Sequence, residues 1–331
     1  MRRAQRWLTI NARFRCSAGR ADFGAERSGR SSVAALEEHY GIVVPLYAVE
    51  SVTRRIGKDC AEFNLHEPLE ATQAARVQVT ELDGSMIPIV EFSAPEEVSC
   101  PAAKADKRKR RQCLWKEVRV CTTHDIDRAE ARYGACLGGV LETGCMMSLT
   151  VQQHGMDQRT HIHGIGDGAP WIAEQFDKQF GLQSRFLIDF YHICEYLGAA
   201  AKSCAGIESE AQQLWLEDQK QRLKSNNLKA VVAQLVAHLE PSSIPDQDAP
   251  VRKCWRYLKN RAGHLDYKSA IEKDLPIGSG EVESAHRHLI QRRLKLSGAW
   301  WSREHAANVI QLRVTRANGE WDQFWSQKAA A

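Results

Sequence analysis

The sequence predicts an α/β fold, and three stretches carry that prediction. Residues 160–197 run THIHGIG, then PWIAEQFDKQFG, then SRFLID, then FYHICEYL, which continues as GAAAKSC, an alternation of strand, helix, strand and helix. Residues 76–92, RVQVTELDGSMIPIVEF, hold two β-rich runs. Residues 205–270 are helical in character and broken only between Pro241 and Pro250.

Taken along the chain, residues 31–57 come first. Ala34, Ala35, Leu36 and Tyr40 precede a glycine-containing turn, and Ala48, Val49, Val52 and Ile56 come after it at helical spacing. The pair reads either as a helix-turn-helix, with Arg54 and Arg55 near phosphates, or as a plain helical hairpin. In VTELDGSMIP, Asp83-Gly84-Ser85 predicts a hairpin turn between two strands. Residues 93–112 are polar and basic and predict a loop, and LWKEVRVCTTHD at 114–125 predicts a third strand.

The 160–197 unit predicts a right-handed parallel crossover. Asp167, followed by Gly168, Ala169 and Pro170, closes the first strand and opens a helix with proline in its first turn. Asp189 closes the second strand. Parallel strands bring such ends to one sheet edge, which predicts that the two carboxylates are neighbours. Further on, Gly278-Ser279-Gly280 opens a helix predicted to run to Ser297-Gly298, with Val282, Ala285, Leu289 and Leu296 on its apolar face. Glu283 and Arg287, four residues apart, share another face.

Composition is that of a globular protein, with no apolar run long enough to span a bilayer. The net charge of +4 is small, but its distribution is uneven: residues 1–30 carry eight Arg against two acids, and residues 104–111 read KADKRKRR. Arg287, Arg292, Arg293, Lys295 and Arg303 come after Glu283. Separated basic clusters in a nearly balanced chain predict patches for a polyanion. Ten cysteines without a CxxC pair predict reduced thiols in a cytoplasmic protein. The arginine-rich start has the composition of a transit peptide but reads better as a basic arm.

Asp83, Asp167 and Glu283 are the acids that matter. Two strand-end aspartates and a helix glutamate suit a divalent-metal site for phosphoryl transfer, since hard cations take carboxylate oxygens. Singly, each has an ordinary reading as a turn residue, a helix N-terminal acid or a partner of Arg287. A zinc site built from His161, His163, Asp167 and His192 is the weaker alternative.

LDGSMIP, IGDGAPWI, IDFYHICEYL and PIGSGEVESAHRHLIQRRLKLSGAWWS together resemble bacterial insertion-sequence transposases of the ISKra type, which are DDE transposases with an RNase H-like core. The likeness covers roughly residues 20–326, including the closing LRVTRANGEWDQFW. It implies an RNase H-like mixed sheet with an inserted all-helical domain and a small helical N-terminal region. The expected organisation is a basic, disordered arm at 1–27, a helical region at 28–70, the first part of the core at 71–198, a helical insertion at 199–272, and the glutamate helix with the end of the core at 273–331.

It further implies that Asp83, Asp167 and Glu283 are catalytic and bind two Mg²⁺ (or Mn²⁺) ions. Glu281 rivals Glu283 for the last place, and Asp189 and His192 would support the site. The expected reaction is cleavage at the element end, exposing a 3′-hydroxyl that attacks target DNA. Partners would be double-stranded DNA and further copies of the chain, with no membrane, in association with the bacterial nucleoid. Lys107, Arg108, Lys109, Arg110, Arg111, Arg287, Arg292, Arg293 and Lys295 would contact DNA backbone. Trp300 and Trp301 would stack on unpaired bases if exposed. The competing expectations are a catalytically inactive, transposase-derived DNA-binding protein and a metal-dependent nuclease without strand transfer.

Overall fold

A computed structural model describes residues 12–66, 76–93, 110–127, 130–206 and 208–330. Three helices come first: α1 (Ala12–Glu26), α2 (Gly29–Tyr40) and α3 (Leu46–Phe63). The sheet comes next with β1 (Val77–Ser93), β2 (Arg110–Asp125) and β3 (Ala131–Cys136), then α4 (Val140–Gln153) and β4 (His161–Gly166). After these are α5 (Pro170–Phe180), β5 (Ser184–Ile188) and α6 (Phe190–Ala205).

The helical stretch holds α7 (Ser209–Lys224), α8 (Leu228–Val236), α9 (Pro250–Asn260) and α10 (Tyr267–Glu272). The chain closes with α11 (Gly280–Ala285), a π-helical turn (His286–Gln291), α12 (Arg292–Leu294), α13 (Arg303–Ala317) and α14 (Trp321–Ala330). No helix among the described residues is long and apolar enough to cross a membrane.

The sheet is mixed, in the order β3-β2-β1-β4-β5. β1, β2 and β3 pair antiparallel, whereas β1, β4 and β5 are mutually parallel. Alternation sorts the side chains onto two faces. Leu82, Cys121 and Ile162 pack with Met147 and Val151 of α4 and with Ile172 and Phe176 of α5. Ile87, Ile89, Val118 and Val120 pack with Val282, Leu289, Val309 and Ile310 on the other side. Buried residues of the helical stretch, among them Leu223, Leu235, Cys254 and Tyr257, join the first of these clusters.

Asp83-Gly84-Ser85 forms no turn: β1 runs straight through it, with Asp83 opposite Val120, Gly84 opposite Arg119 and Ser85 opposite Val118. The Asp-Gly preference for turns is local, and pairing along the whole of β2 outweighs it. Residues 1–11 of the expected arm lie outside the described residues. From Ala12 onward the arm is ordered, because α1 buries Ala18, Ala21 and Ala25 against Ile56, Leu312 and Trp325.

α3 is likewise a packing helix on its apolar face. At Gly57 a Cβ would come within 2.5 Å of the Asn308 carbonyl oxygen, so glycine lets α3 and α13 approach closely. Arg54 and Arg55 lie on the exposed side.

The helix ends at Leu294 rather than at Ser297-Gly298, so Leu296 lies beyond it and is exposed. The π turn adds a residue to the helical repeat and rotates the turn after it, so that Ile290 and Leu294 are buried instead. The eight cysteines whose side chains are described are all unpaired thiols.

Arg313 fastens the N-terminal helices to the rest. It is 5 % exposed, and its guanidinium donates to the carbonyls of Leu289 (2.7 Å), Ala25 (2.5 Å) and His288, with Glu26 at 3.1 Å. Arg313→Ala strands these buried acceptors and is expected to cost about 3–5 kcal/mol in urea unfolding. A loss below about 1 kcal/mol would show the clamp to be dispensable.

Candidate active site

The parallel strands end on one rung. Leu82 of β1 pairs with Gly166 of β4, and Gly166 pairs with Ile188 of β5. Asp83, Asp167 and Asp189 are the next residue in each strand direction. Adjacent strands lie about 4.8 Å apart, so the three aspartates form a row at the carboxyl edge of the sheet.

Asp83 is half-buried, and its pKa is pushed up to about 6, first by burial and then by the neighbouring Asp167 charge. His192, on the first turn of α6, acts on Asp83 in the opposite sense. His192 also lies edge-on to Tyr196 and Tyr257.

Asp167 is held by backbone geometry. Its Oδ1 accepts from the Ala169 N–H at 2.9 Å, and Gly168 takes a φ of 76°. A helix from the distant helical stretch grips the same loop. The Tyr257 hydroxyl donates to the Asp167 carbonyl at 2.5 Å, and Arg261 Nε donates to the Gly168 carbonyl at 2.5 Å. Arg261 lies 4.1 Å over the Tyr257 ring, which stacks on Tyr196 at 4.3 Å. A Cβ at Gly168 would sit 2.5 Å from the Tyr257 hydroxyl, so the grip needs glycine there.

Asp189 joins two sequence motifs. Its carboxylate caps α6 by accepting from the N–H groups of Tyr191 (2.6 Å) and His192 (3.2 Å). It also accepts from the Ser279 N–H at 2.9 Å and from the Ser279 hydroxyl. With these bonds the carboxylate is committed to anchoring the start of α11.

α11 then crosses to β1. Glu81, 2 % exposed, accepts from the Val282 N–H at 2.7 Å. Burial, reinforced by the Glu281 charge, pushes its pKa from an ordinary 4.5 to about 7. One turn on, His286 Nε2 lies 3.4 Å from Asp83 Oδ2. Burial pushes the pKa of His286 down to about 4, so Asp83 faces a neutral ring.

Glu283 lies between the two anchor points, Ser279 on Asp189 and His286 on Asp83, but its carboxylate is exposed and pairs with Arg287 at 2.6 Å. Glu281, two residues away and therefore about 200° around the helix, is within electrostatic reach of Glu81 and of Tyr133 on β3, away from β4. Among the described residues no three His, Cys, Asp or Glu side chains are grouped closely enough to hold a metal ion. Asp83 and Asp167 are brought together, and Glu283 is not drawn in with them.

The other expected residues divide. Arg287, Arg292 and Lys295 are exposed. Arg293 is not available to DNA: it is 7 % exposed, donates to the Gly24 carbonyl at 3.0 Å and lies 4.5 Å from the Trp301 ring. Trp301 is 4 % exposed and gives its indole N–H to the Leu294 carbonyl at 3.1 Å, so it belongs to the core. Trp300 is half exposed, with Arg111 lying 4.2 Å over its ring. Lys107, Arg108 and Lys109 lie outside the described residues, as does the side chain of Arg110. His163 contacts the Pro276 carbonyl through Nε2 at 2.8 Å, and His161, His163, Asp167 and His192 of the zinc alternative are not grouped closely enough to hold a metal ion.

Glu81, His286, Tyr257 and Arg261 escaped sequence reasoning. Glu81 carried a usable signal, since it lies two residues before Asp83 and therefore on the same strand face.

Tyr257→Phe is expected to cost about 1 kcal/mol in urea unfolding. It should also speed amide exchange at Gly168 and Ala169, and unchanged exchange there would mean that the hydroxyl does not hold the loop. The native state keeps the Glu81 proton to higher pH than the unfolded chain does. Its stabilising contribution is therefore full below pH 4.5 and lost as pH rises through about 7. Glu81→Gln should add about 3 kcal/mol at pH values above that range and flatten the pH dependence of urea midpoints. An unchanged pH profile would show that Glu81 titrates normally.

The family described as Uncharacterised protein family (UPF0236) matches residues 150–327, a span that includes Asp167, Asp189 and Glu283 but not Asp83. A UPF0236 protein of Caldanaerobacter subterraneus subsp. tengcongensis, whose name joins four locus designations, is 26 % identical over 158 residues, 48 % of this chain and 31 % of its own length. Another from the same organism, whose name joins eleven locus designations, is 25 % identical over the same length of alignment, again 48 % of this chain and 31 % of its own. The alignments thus span about a third of these relatives. With the family match extending over more than half of the 331 residues, the chain belongs to the UPF0236 family.

Proposed function

We propose that this chain is a DDE-type DNA transposase of the ISKra kind, built on an RNase H-like core and acting by metal-dependent strand cleavage and transfer. The observation that carries the reading is the aspartate rung. A mixed sheet in the order 3-2-1-4-5, with parallel strands 1, 4 and 5, presents Asp83 on its central strand beside Asp167 at the end of the next. A helix bearing a further acid crosses above them. The name of one relative, which joins eleven designations, adds support, because an element that copies itself would multiply its protein in this way.

The donor set fits a hard divalent cation. Two adjacent carboxylates repel each other, and Asp83 is already destabilised as an anion. Asp83 and Asp167 would hold Mg²⁺ or Mn²⁺, with Glu283 as the third acid once its carboxylate leaves Arg287. Bound there, the ions would supply Lewis acidity, activating water and stabilising the leaving oxygen of a phosphodiester.

The chain's own residues do the positioning. Asp189 fixes the start of α11, neutral His286 lies against Asp83, and the Tyr257–Arg261 grip fixes the Asp167 loop. Arg287, Arg292 and Lys295 lie exposed on the same helical segment, where DNA phosphates would meet them. The pairing of Glu283 with Arg287 favours one second reading, a DNA-binding protein that no longer cleaves.

The test is nicking and strand transfer on supercoiled DNA carrying the element ends, in Mg²⁺ or Mn²⁺. Asp83→Asn, Asp167→Asn and Glu283→Gln should each lower the rate at least about 100-fold, in the range seen when a transition-state interaction is removed. Glu281→Gln should retain activity. Loss in Glu281→Gln alone would reassign the third acid. Nicking that survives Asp83→Asn would sink the reading, and salt-sensitive DNA binding without nicking by the unaltered protein would establish the second one.

A further inference from the structure

The outer half of the β1–β2 hairpin is packed on one face, and on the other it buries Val90 but leaves large rings exposed. β4 accompanies β1 only as far as Leu82, whereas β2 stays paired with it to Ser93, so the hairpin runs on past the aspartate rung. Residues opposite one another in an antiparallel ladder share a face. Ile87, Ile89 and Val118 turn toward the α11–α13 layer and are buried.

The alternate set turns away. It pairs Phe92 with Arg111, Pro88 with Trp115 and Met86 with Glu117. Phe92 is 62 % exposed and Trp115 61 %. Trp300 joins the same side. Its neighbour Trp301 bridges to Ile89 and buries its ring, so Trp300 projects the other way, beneath the Arg111 guanidinium.

We propose that Phe92, Trp115, Trp300 and Arg111 form a stacking platform for the unpaired bases of a single DNA strand, on the hairpin beyond the aspartate rung and on the face opposite the Asp83 side chain. The proposal rests on reading that edge as a DNA-processing site, and names the form of substrate it handles. Flat rings accept the face of any base, and a guanidinium already lying over an indole adds cation–π attraction. Arg111, exposed beside Phe92 and over Trp300, also supplies a cation for a phosphate next to the rings. A second copy of the chain is a poorer occupant. A two-fold contact through this face would bring the Arg111 guanidinium groups of both copies into one interface.

The experiment uses the full chain in EDTA, so that binding is read apart from cleavage. A labelled oligothymidylate is titrated by anisotropy, and indole quenching is monitored alongside. Trp115→Ala, Phe92→Ala and Trp300→Ala should each weaken binding by about 5- to 100-fold, the range for removing one stacked ring. Trp115→Phe should retain most of the affinity, and the melting temperatures of these exposed-site variants should stay near that of the unaltered chain. Equal affinity in all three alanine variants would overturn the platform. So would a Trp115→Ala variant whose only change is a shift from dimer to monomer in sedimentation, which would give the face to a second copy. Ring-dependent binding without metal-dependent nicking would leave the platform standing and sink the cleavage reading. Nicking with strand binding unaltered in the variants would do the reverse.

Discussion

The parallel register of β1, β4 and β5 is the constraint on which the rest of the site depends. It sets Leu82, Gly166 and Ile188 on one rung and so aligns the three aspartates that come directly after them. A slip of one residue in β1 would carry Asp83 to the opposite face of the sheet and bury it among the side chains of α4 and α5. Several contacts hold the register. Gly164 lies beneath the Phe176 ring, where a Cβ would meet it at 2.5 Å, and the Asp189 N–H donates to the Gly166 carbonyl at 2.8 Å. Thr80 and Thr123, buried and 3.1 Å apart, tie β1 to β2 across the antiparallel side.

That register collects negative charge where water is scarce, and the neighbouring groups respond in a consistent direction. Glu81 and Asp83 are pushed up and His286 is pushed down, so each charged form is disfavoured, although at about 6 Asp83 is still mostly ionised near neutral pH. The Val282 N–H offsets part of the cost at Glu81, because the first turn of a helix offers N–H groups without partners in its own backbone. The Gly84 N–H and His192 offset part of the cost at Asp83, but its repulsion with Asp167 remains. A proton or a cation is the remaining way to relieve it, and a cation does so without giving up the carboxylate form.

The β4–α5–β5–α6 unit is legible in the sequence because its signals are local. Pro170 marks a helix start, Gly181 a helix end, and Asp189 a cap whose oxygen accepts from the next turn. The rung is half legible: the strand-end positions of Asp167 and Asp189 can be read, but the course of β1 cannot, because Asp83-Gly84 imitates a turn. The fate of the basic helix is not legible. The π turn at His286–Gln291 shifts its phase, which decides that Arg293 is buried while Arg292 is exposed. Tyr257 and Asp167, 90 residues apart, share no local pattern at all, and only folding brings them together.

That distant contact bears on how the helical stretch relates to the sheet. A segment inserted only for its own purposes would bury its own core and touch the site by chance. Here Leu223, Leu235, Cys254 and Tyr257 belong to the same apolar cluster as Leu82 and Ile162. Tyr267, fully buried, sends its hydroxyl to the Ile188 carbonyl at 2.9 Å, on the rung itself, while Tyr257 and Arg261 hold the next loop over. The helices therefore brace the carboxyl ends of β4 and β5 from outside, where a parallel sheet has no further strand to stiffen them. Movement of α9 would therefore be felt first at Asp167, whose loop Tyr257 and Arg261 hold.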